Sequence, residues 1–338
     1  MNNSAVHKTL FIVGNGFDLD LNLKTSYKDF LASKYFLEHM PHYYYEPKIN
    51  EADAEINIFY FLHQQNNIKG WIDVENELAF LASRKVHKKF PTYNEEEFPA
   101  LVSEQEKETF QQLRLALCDY LKDISYDEVK TDSYGLKILK ILNGVNNNSE
   151  LITFNYTDIN KLAPLIGEKK IVIPVSYMHG SLKSRQTEKD DTSIILGFQD
   201  DIEIDDSYCF MIKSHSPYYT SHNLKSKLDQ ADEVIFFGHS LGSTDYPYFE
   251  DFFRKQCAVK PDSEKIKVRI FTYDEESRQS ILVQLRNMNE KHTQMLYEYC
   301  DFAIYRIKDH IDDDKIESYL SELDNRILHE KNLLLFSL

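Results

Sequence analysis

The spacing of apolar residues changes along the chain, and the change separates regions of different predicted structure. An early run, LFIV at 10–13, has the continuity of a buried strand. Helical spacing continues from there to about residue 145, most clearly in SEQEKETFQQLRLALCDYLKDI. Short β-rich runs then dominate, at 151–156, 170–180, 193–198, 233–240, 267–274 and 301–307.

Helical segments separate the later β-rich runs, and this alternation predicts the fold class. Strands that alternate with helices are typical of βαβ units and a parallel sheet. We therefore predict an α/β, Rossmann-like fold with a mostly parallel sheet and a large helical insertion after the first strand–helix unit. Residues 1–40 and 146–338 would form the core, and residues 41–145 the insertion.

Several predicted strands end in small or polar residues, which is where open α/β sheets bind ligands. The first strand runs into GNGFD, the second into TFNYTD, the third into MHGS, and a later one into GHSLG. Glycines permit a sharp turn and a close approach of the backbone to a ligand, and the start of a following helix favours an anion. The GNG turn is thus either a phosphate cradle or an ordinary strand-to-helix turn.

Charge and composition narrow the range of partners. The 338 residues include 39 Lys and Arg against 55 Asp and Glu, a formal net charge of −16. Such a field repels nucleic acid and anionic membrane surfaces, so neither is an expected partner. No apolar run approaches bilayer length and no leader precedes the first strand, which predicts a cytoplasmic protein. The four cysteines lie far apart, so we expect no metal site.

Five blocks of the sequence resemble the AbiH family, which acts in bacteriophage abortive infection. The blocks are LFIVGNGFDLDLNLKTSYKDF, WIDVENEL, TFNYTD, YMHGSL and GHSLGSTDYPYF, in this order. The family is similar, more distantly, to sirtuin-like NAD-binding defence proteins. The resemblance implies an antiphage protein that binds NAD or a related nucleotide and hydrolyses NAD to nicotinamide and ADP-ribose, which depletes the infected cell.

The same resemblance implies roles for individual residues. Asn155 would lie beside the nicotinamide ribose, and His179 would act as the base there. The residues implied to contact the nucleotide come from the ends of four strands: Gly14, Asn15, Gly16, Phe17, Asp18, Thr153, Gly180, Gly238, His239, Ser240 and Asp245. Gly14 and Gly16 would face the pyrophosphate, while Gly238 and Ser240 would line the adenosine side.

Two alternatives stay open from the sequence. The first is a non-catalytic nucleotide-sensing or assembly module. It stays open because Thr157 stands where the sirtuin-like T-x-N-x-D block has its acid. The other is a serine hydrolase, because GHSLG fits G-x-S-x-G after a strand, and Asp274 and His310 follow Ser240 in hydrolase order. Besides a nucleotide, a second copy of the chain or a defence partner protein is a candidate partner.

Overall fold

The computed structural model describes residues 7–40, 57–70, 72–83, 99–144, 148–182, 194–204, 206–220, 222–259, 261 and 265–335. The chain divides into two compact units. Unit 1 contains residues 1–23, 126–178 and 221–338, and unit 2 contains residues 24–125 and 179–220. Both predicted boundaries of the helical insertion, at 41 and 145, lie outside the described residues.

Unit 1 holds a six-stranded sheet in which every neighbouring pair is parallel. Its strands are β1 Thr9–Val13, β2 Ser149–Thr153, β3 Val175–Tyr177, β4 Glu233–Phe237, β5 Lys267–Thr272 and β6 Asp301–Arg306. Helices alternate with the strands, which confirms the predicted α/β, Rossmann-like class. The helices of unit 1 are α1 Asn15–Asp20, α7 Tyr134–Leu142, α8 Leu224–Asp229, α9 Tyr246–Gln256, α10 Glu275–Met288, α11 Thr293–Tyr299 and α12 Asp313–Leu335.

The strand order β3–β2–β1–β4–β5–β6 reverses direction at β1. The first strand pairs with β2 on one side and with β4 on the other, so that Val13 is opposite both Thr153 and Phe237. The residues that follow these three strands therefore lie at one edge of the sheet. This reversal is the position at which doubly wound folds bind dinucleotides.

The sheet is covered on both faces, which explains the unbroken apolar run LFIV in β1. Leu10 and Ile12 pack in a cluster with aromatic residues of β4 and α9, including Phe236 and Phe249. On the other face, the ring of Phe17 in α1 makes edge contacts with Phe11 and Phe237, at centroid distances of 6.2 and 5.8 Å. Burial of Phe17 thus fixes the start of α1 against the sheet.

Unit 2 is helical, and its helices pack through aromatic side chains. They are α2 Tyr27–Leu31, α3 Lys34–Leu37, α4 Ile58–Lys69, α5 Val74–Ala82 and α6 Pro99–Lys122. The ring of Phe36 contacts Phe30 and Phe59, at centroid distances of 5.4 and 5.1 Å. Ser26 and Ser33 accept hydrogen bonds at the starts of α2 and α3, as N-cap residues do.

The strand predicted at 193–198 is wrong. Ile194–Leu196 are buried in unit 2 without strand pairing, and within the described residues 194–198 the sole bridge joins Phe198 to Ile212. Gly197 has a φ of 140°, and a side chain there would collide with the Met211 carbonyl oxygen, 1.9 Å from an added Cβ. The apolar run reflects burial of an irregular segment rather than membership of the sheet.

Candidate functional site

The turn after β1 and the turn after β4 pack backbone against backbone. The Gly16 amide donates to the Gly238 carbonyl at 2.8 Å, and the Gly14 amide donates to the Phe237 carbonyl at 3.1 Å. An added Cβ on Gly16 would lie 2.6 Å from the Gly238 Cα. The glycines of the GNG turn therefore permit contact between two turns of unit 1, and the Gly16 amide is occupied by a partner inside the protein.

A buried carboxyl group lies beside these turns. Asp18 is in α1 with 1% of its surface exposed, and its Oδ2 accepts a hydrogen bond from the Thr157 hydroxyl. Its Oδ1 has no hydrogen-bond partner among the residues that the structure describes. Burial of a carboxyl oxygen without a hydrogen-bond partner costs free energy of folding, most of all when the carboxyl is charged. Asp18 is therefore unusual among buried polar groups.

Burial raises the pKa of Asp18 from 3.8 to about 7, and the hydrogen bonds from Thr157 and Asn155 oppose that rise. The nearby Tyr126 hydroxyl also has a raised pKa, because it is buried and close to the charges of Asp18 and Asp158. A carboxyl that titrates near neutral pH at the edge of a sheet is suited to proton transfer.

Asn155 joins the end of β2 to the turn after β1. Its side-chain Nδ2 donates to the Gly14 carbonyl at 2.9 Å, and its backbone amide donates to the Thr153 hydroxyl at 3.0 Å. Asn155 is 6% exposed. The predicted residues Gly14, Asp18, Thr153 and Asn155 are thus brought together in unit 1. Thr157, which stands where the sirtuin-like block has its acid, joins them as a donor to Asp18.

His239 and Asp245 form a second buried pair, at the end of β4. The Nδ1 of His239 accepts from the Leu241 amide at 3.0 Å, so its hydrogen is on Nε2, which lies 3.5 Å from Asp245 Oδ2. The ring also packs edge-on against Phe154, at a centroid distance of 4.4 Å. These contacts hold the loop after β4 in place.

His179 belongs to unit 2, where it lies in a buried cluster with Lys213 and Glu75. The Lys213 Nζ lies 3.1 Å from His179 Nε2 and 2.8 Å from Glu75 Oε2. Gly180 follows with a φ of 77°. Nothing in the sequence around Lys213 distinguishes it from a surface lysine. Its partner Glu75, in the first turn of α5, lies 138 residues earlier, so their pairing is visible only in the structure.

The family model for AbiH, described as bacteriophage abortive infection AbiH, matches residues 10–263. The chain belongs to the AbiH family. No curated protein matches the chain. The AbiH match contains β1 apart from Thr9, the whole of β2 to β4, and the residues described above around Asp18, His239 and His179. Membership of AbiH supports an antiphage, abortive-infection role for this protein.

The described residues of this AbiH chain contain neither a membrane-spanning helix nor a cluster of metal ligands. In the described ranges, none of the helices combines the length and the apolar composition needed to cross a bilayer. Over the same ranges, His, Cys, Asp and Glu side chains form no group of three or more that could hold a metal ion.

In this AbiH protein, each of the three residues proposed for a serine hydrolase has a hydrogen-bond partner that is not one of the other two. Ser240 is exposed, and its hydroxyl accepts from the Gly242 amide at 3.3 Å. Asp274 accepts from the Ser277 amide as the N-cap of α10, and His310 Nδ1 contacts Asp313 at 2.7 Å. The backbone residues with positive φ are Gly238 and Leu241 rather than Ser240, so the strained conformation of a nucleophile elbow is absent from this described loop.

Proposed function

We propose that this AbiH-family protein binds NAD at the carboxyl edge of β1 and β2 and hydrolyses it to nicotinamide and ADP-ribose. The observation that carries the proposal is the buried Asp18 carboxyl, beside Asn155 and Thr157, at the point where the strand order reverses. Doubly wound folds bind dinucleotides at this position. Loss of NAD would be the means of abortive infection.

The chemistry of the proposed reaction suits a carboxyl group of this kind. Water adds to the ribose C1′, the bond from C1′ to nicotinamide breaks with its electron pair on nicotinamide, and one proton is released. Positive charge develops on the ribose during this step. A carboxylate stabilises that charge and accepts the proton of the attacking water when its pKa is near the working pH. Asp18, with a pKa of about 7, supports this assignment.

The glycines and Asn155 have more limited roles in this proposal than the resemblance implies. Because the Gly16 amide donates to Gly238, the GNG turn shapes the site and does not hold the pyrophosphate through that amide. Asn155 holds the Gly14 carbonyl and thereby orients the turn. His179 belongs to unit 2, and its implied action as the base stays a prediction from the family resemblance.

Non-catalytic nucleotide sensing is the second candidate, and a specific observation favours it. The side chain of Asn155, the residue expected beside the nicotinamide ribose, already donates to a backbone carbonyl of the protein. The N–H that Asn155 uses in this hydrogen bond is not available to a ligand unless the Gly14 carbonyl is released.

Calorimetric titration of the full chain with NAD and with ADP-ribose, together with an assay of nicotinamide release, tests the proposal. We expect both nucleotides to bind and nicotinamide to accumulate with NAD. Binding without release would overturn the hydrolysis and favour the sensor. Failure of both nucleotides to bind would overturn both candidates.

A further inference from the structure

A cavity of about 230 Å³ lies in unit 2, and two parts of the chain form its described walls. One wall is a single face of helix α6. Lys107, Phe110 and Arg114 lie on that face because they are separated by three and four residues, the spacing that places side chains on one side of a helix. The other wall comes from residues between 196 and 217, among them Phe210 and His215.

The second wall includes the apolar run that the sequence predicts as a strand. Its backbone bonds within unit 2: the Phe198 amide donates to the Met211 carbonyl at 3.1 Å, and the Phe198 carbonyl accepts from the Lys213 amide at 2.9 Å. Leu196 and Ile212 are buried and line the cavity. The segment thus supplies an apolar wall opposite α6.

The described walls carry three basic side chains and no carboxylate, in a chain whose formal net charge is −16. The three are Lys107, Arg114 and His215. The Arg114 guanidinium donates to the Gln111 side-chain oxygen and to the Ile194 carbonyl, both at 2.8 Å. These two hydrogen bonds fix a permanent positive charge at the wall of the cavity.

Lys107 adds a second positive charge, and its partner is replaceable. Its Nζ lies 2.9 Å from Glu104 Oε1, and the two side chains are 47% and 70% exposed. An exposed ion pair three residues apart on a helix contributes little to stability. A ligand with a larger negative charge is therefore able to replace Glu104 as the partner of Lys107.

Two aromatic rings lie beside these charges. The rings of Phe110 and Phe210 meet edge to face at a centroid distance of 5.6 Å. Phe110 is buried, whereas Phe210 is half-buried at the cavity. A flat ring of a ligand gains apolar contact and aromatic stacking on such a surface.

We propose that this cavity binds a phosphate monoester that carries a flat ring, the class to which the nucleoside monophosphates belong. Such a phosphate has a charge of about −1.5 to −2 and three acceptor oxygens, which match the cations of Lys107 and Arg114. A single carboxylate would match one of them. At about 230 Å³, the cavity is smaller than the roughly 300–1,000 Å³ of typical sites for drug-sized ligands, so a dinucleotide exceeds it.

The proposal does not rest on NAD hydrolysis. The described lining of the cavity belongs to unit 2, whereas Asp18, which carries the proposed function, belongs to unit 1. A wild type that releases no nicotinamide would contradict NAD hydrolysis and leave this binding site standing.

Calorimetric titration of the full chain with adenosine monophosphate (AMP) tests the site. Adenosine and inorganic phosphate are the comparison probes, because they carry only the ring or only the charge. The test variant is Lys107→Glu. The matched control is Lys122→Glu in the same helix, which changes the net charge equally and also removes a lysine paired with an acid three residues earlier, Asp119. Phe210→Leu removes a ring and keeps an apolar side chain.

We expect AMP to bind the wild type and Lys122→Glu alike, and to bind Lys107→Glu about tenfold or more weakly. Phe210→Leu should weaken AMP about fivefold or more and leave inorganic phosphate unchanged. Adenosine and inorganic phosphate should each bind the wild type more weakly than AMP.

Three results would overturn the site. The first is a wild type that does not bind AMP. The second is an equal loss of AMP affinity in both lysine variants, which would show attraction by the overall charge. The third is AMP affinity that is unchanged in Lys107→Glu, which would place the nucleotide outside this cavity.

Discussion

Gly238→Ala is expected to prevent stable folding of unit 1. Gly238 has a φ of 62°, and an added Cβ would lie 2.3 Å from the Gly16 carbonyl carbon and from the Phe17 amide nitrogen. Neither group is able to move without breaking the hydrogen bond from Gly16 to Gly238. The unfavourable dihedral and the overlap together should cost more than about 3 kcal/mol of unfolding free energy.

Gly242→Ala is the matched control in the same loop. Its φ is −65°, and an added Cβ meets one atom within contact range, the Ser240 hydroxyl oxygen at 3.3 Å. Urea unfolding followed by circular dichroism compares the two variants with the wild type. A Gly238→Ala protein as stable as Gly242→Ala would show that the two turns do not pack as described.

Asp18→Asn is expected to stabilise the protein at pH 8. The pKa of the Asp18 carboxyl rises from 3.8 to about 7 on folding, so the folded state binds more protons than the unfolded state between these values. Stability should therefore fall as the pH rises from about 4 to about 7 and then level off. The rise in pKa corresponds to roughly 4 kcal/mol at pH 8 as an upper value, and we expect a gain of about 2–4 kcal/mol.

Urea unfolding at pH 5 and pH 8 measures this effect. Asparagine keeps the oxygen that accepts from Thr157 and carries no charge, so the advantage of Asp18→Asn over the wild type should be smaller at pH 5. Asp274→Asn is the control of opposite sign, since hydrogen bonds from Ser277 lower the pKa of that partly exposed carboxyl. It should give no gain at pH 8. An equal advantage of Asp18→Asn at both pH values would contradict the buried carboxyl.

The sequence predicts the sheet well because its strands are short, apolar and buried. The run at 10–13 lies within β1, and the runs that begin at 151, 233, 267 and 301 each correspond to a strand of the sheet. The run at 193–198 has the same composition yet lies in unit 2, because apolar content reports burial and does not report pairing. The pattern of apolar residues also does not predict the strand order, since β1 pairs with strands that begin 140 and 224 residues later.

The candidate site is less predictable because its contacts join residues far apart in sequence. Glycines, amides and hydroxyls at strand ends indicate which edge of the sheet carries polar groups. They do not indicate that the Gly16 amide is occupied by Gly238, or that Thr157 donates to an acid 139 residues earlier. Lys213 belongs to no motif, and its contacts with Glu75 and His179 are visible only in the structure.

Nicotinamide release by Asn155→Ala and Asn143→Ala, at saturating NAD, tests the central claim most directly. The two asparagines are each 6% exposed, and both use their side chains to bind backbone groups of unit 1. Each variant should lose about 1–2 kcal/mol of stability. We predict that Asn155→Ala lowers turnover about a hundredfold, because Asn155 orients the turn that leads to Asp18, while Asn143→Ala keeps nearly full activity. Equal activities of the two folded variants, or a wild type that releases no nicotinamide, would contradict NAD hydrolysis at this edge of the sheet.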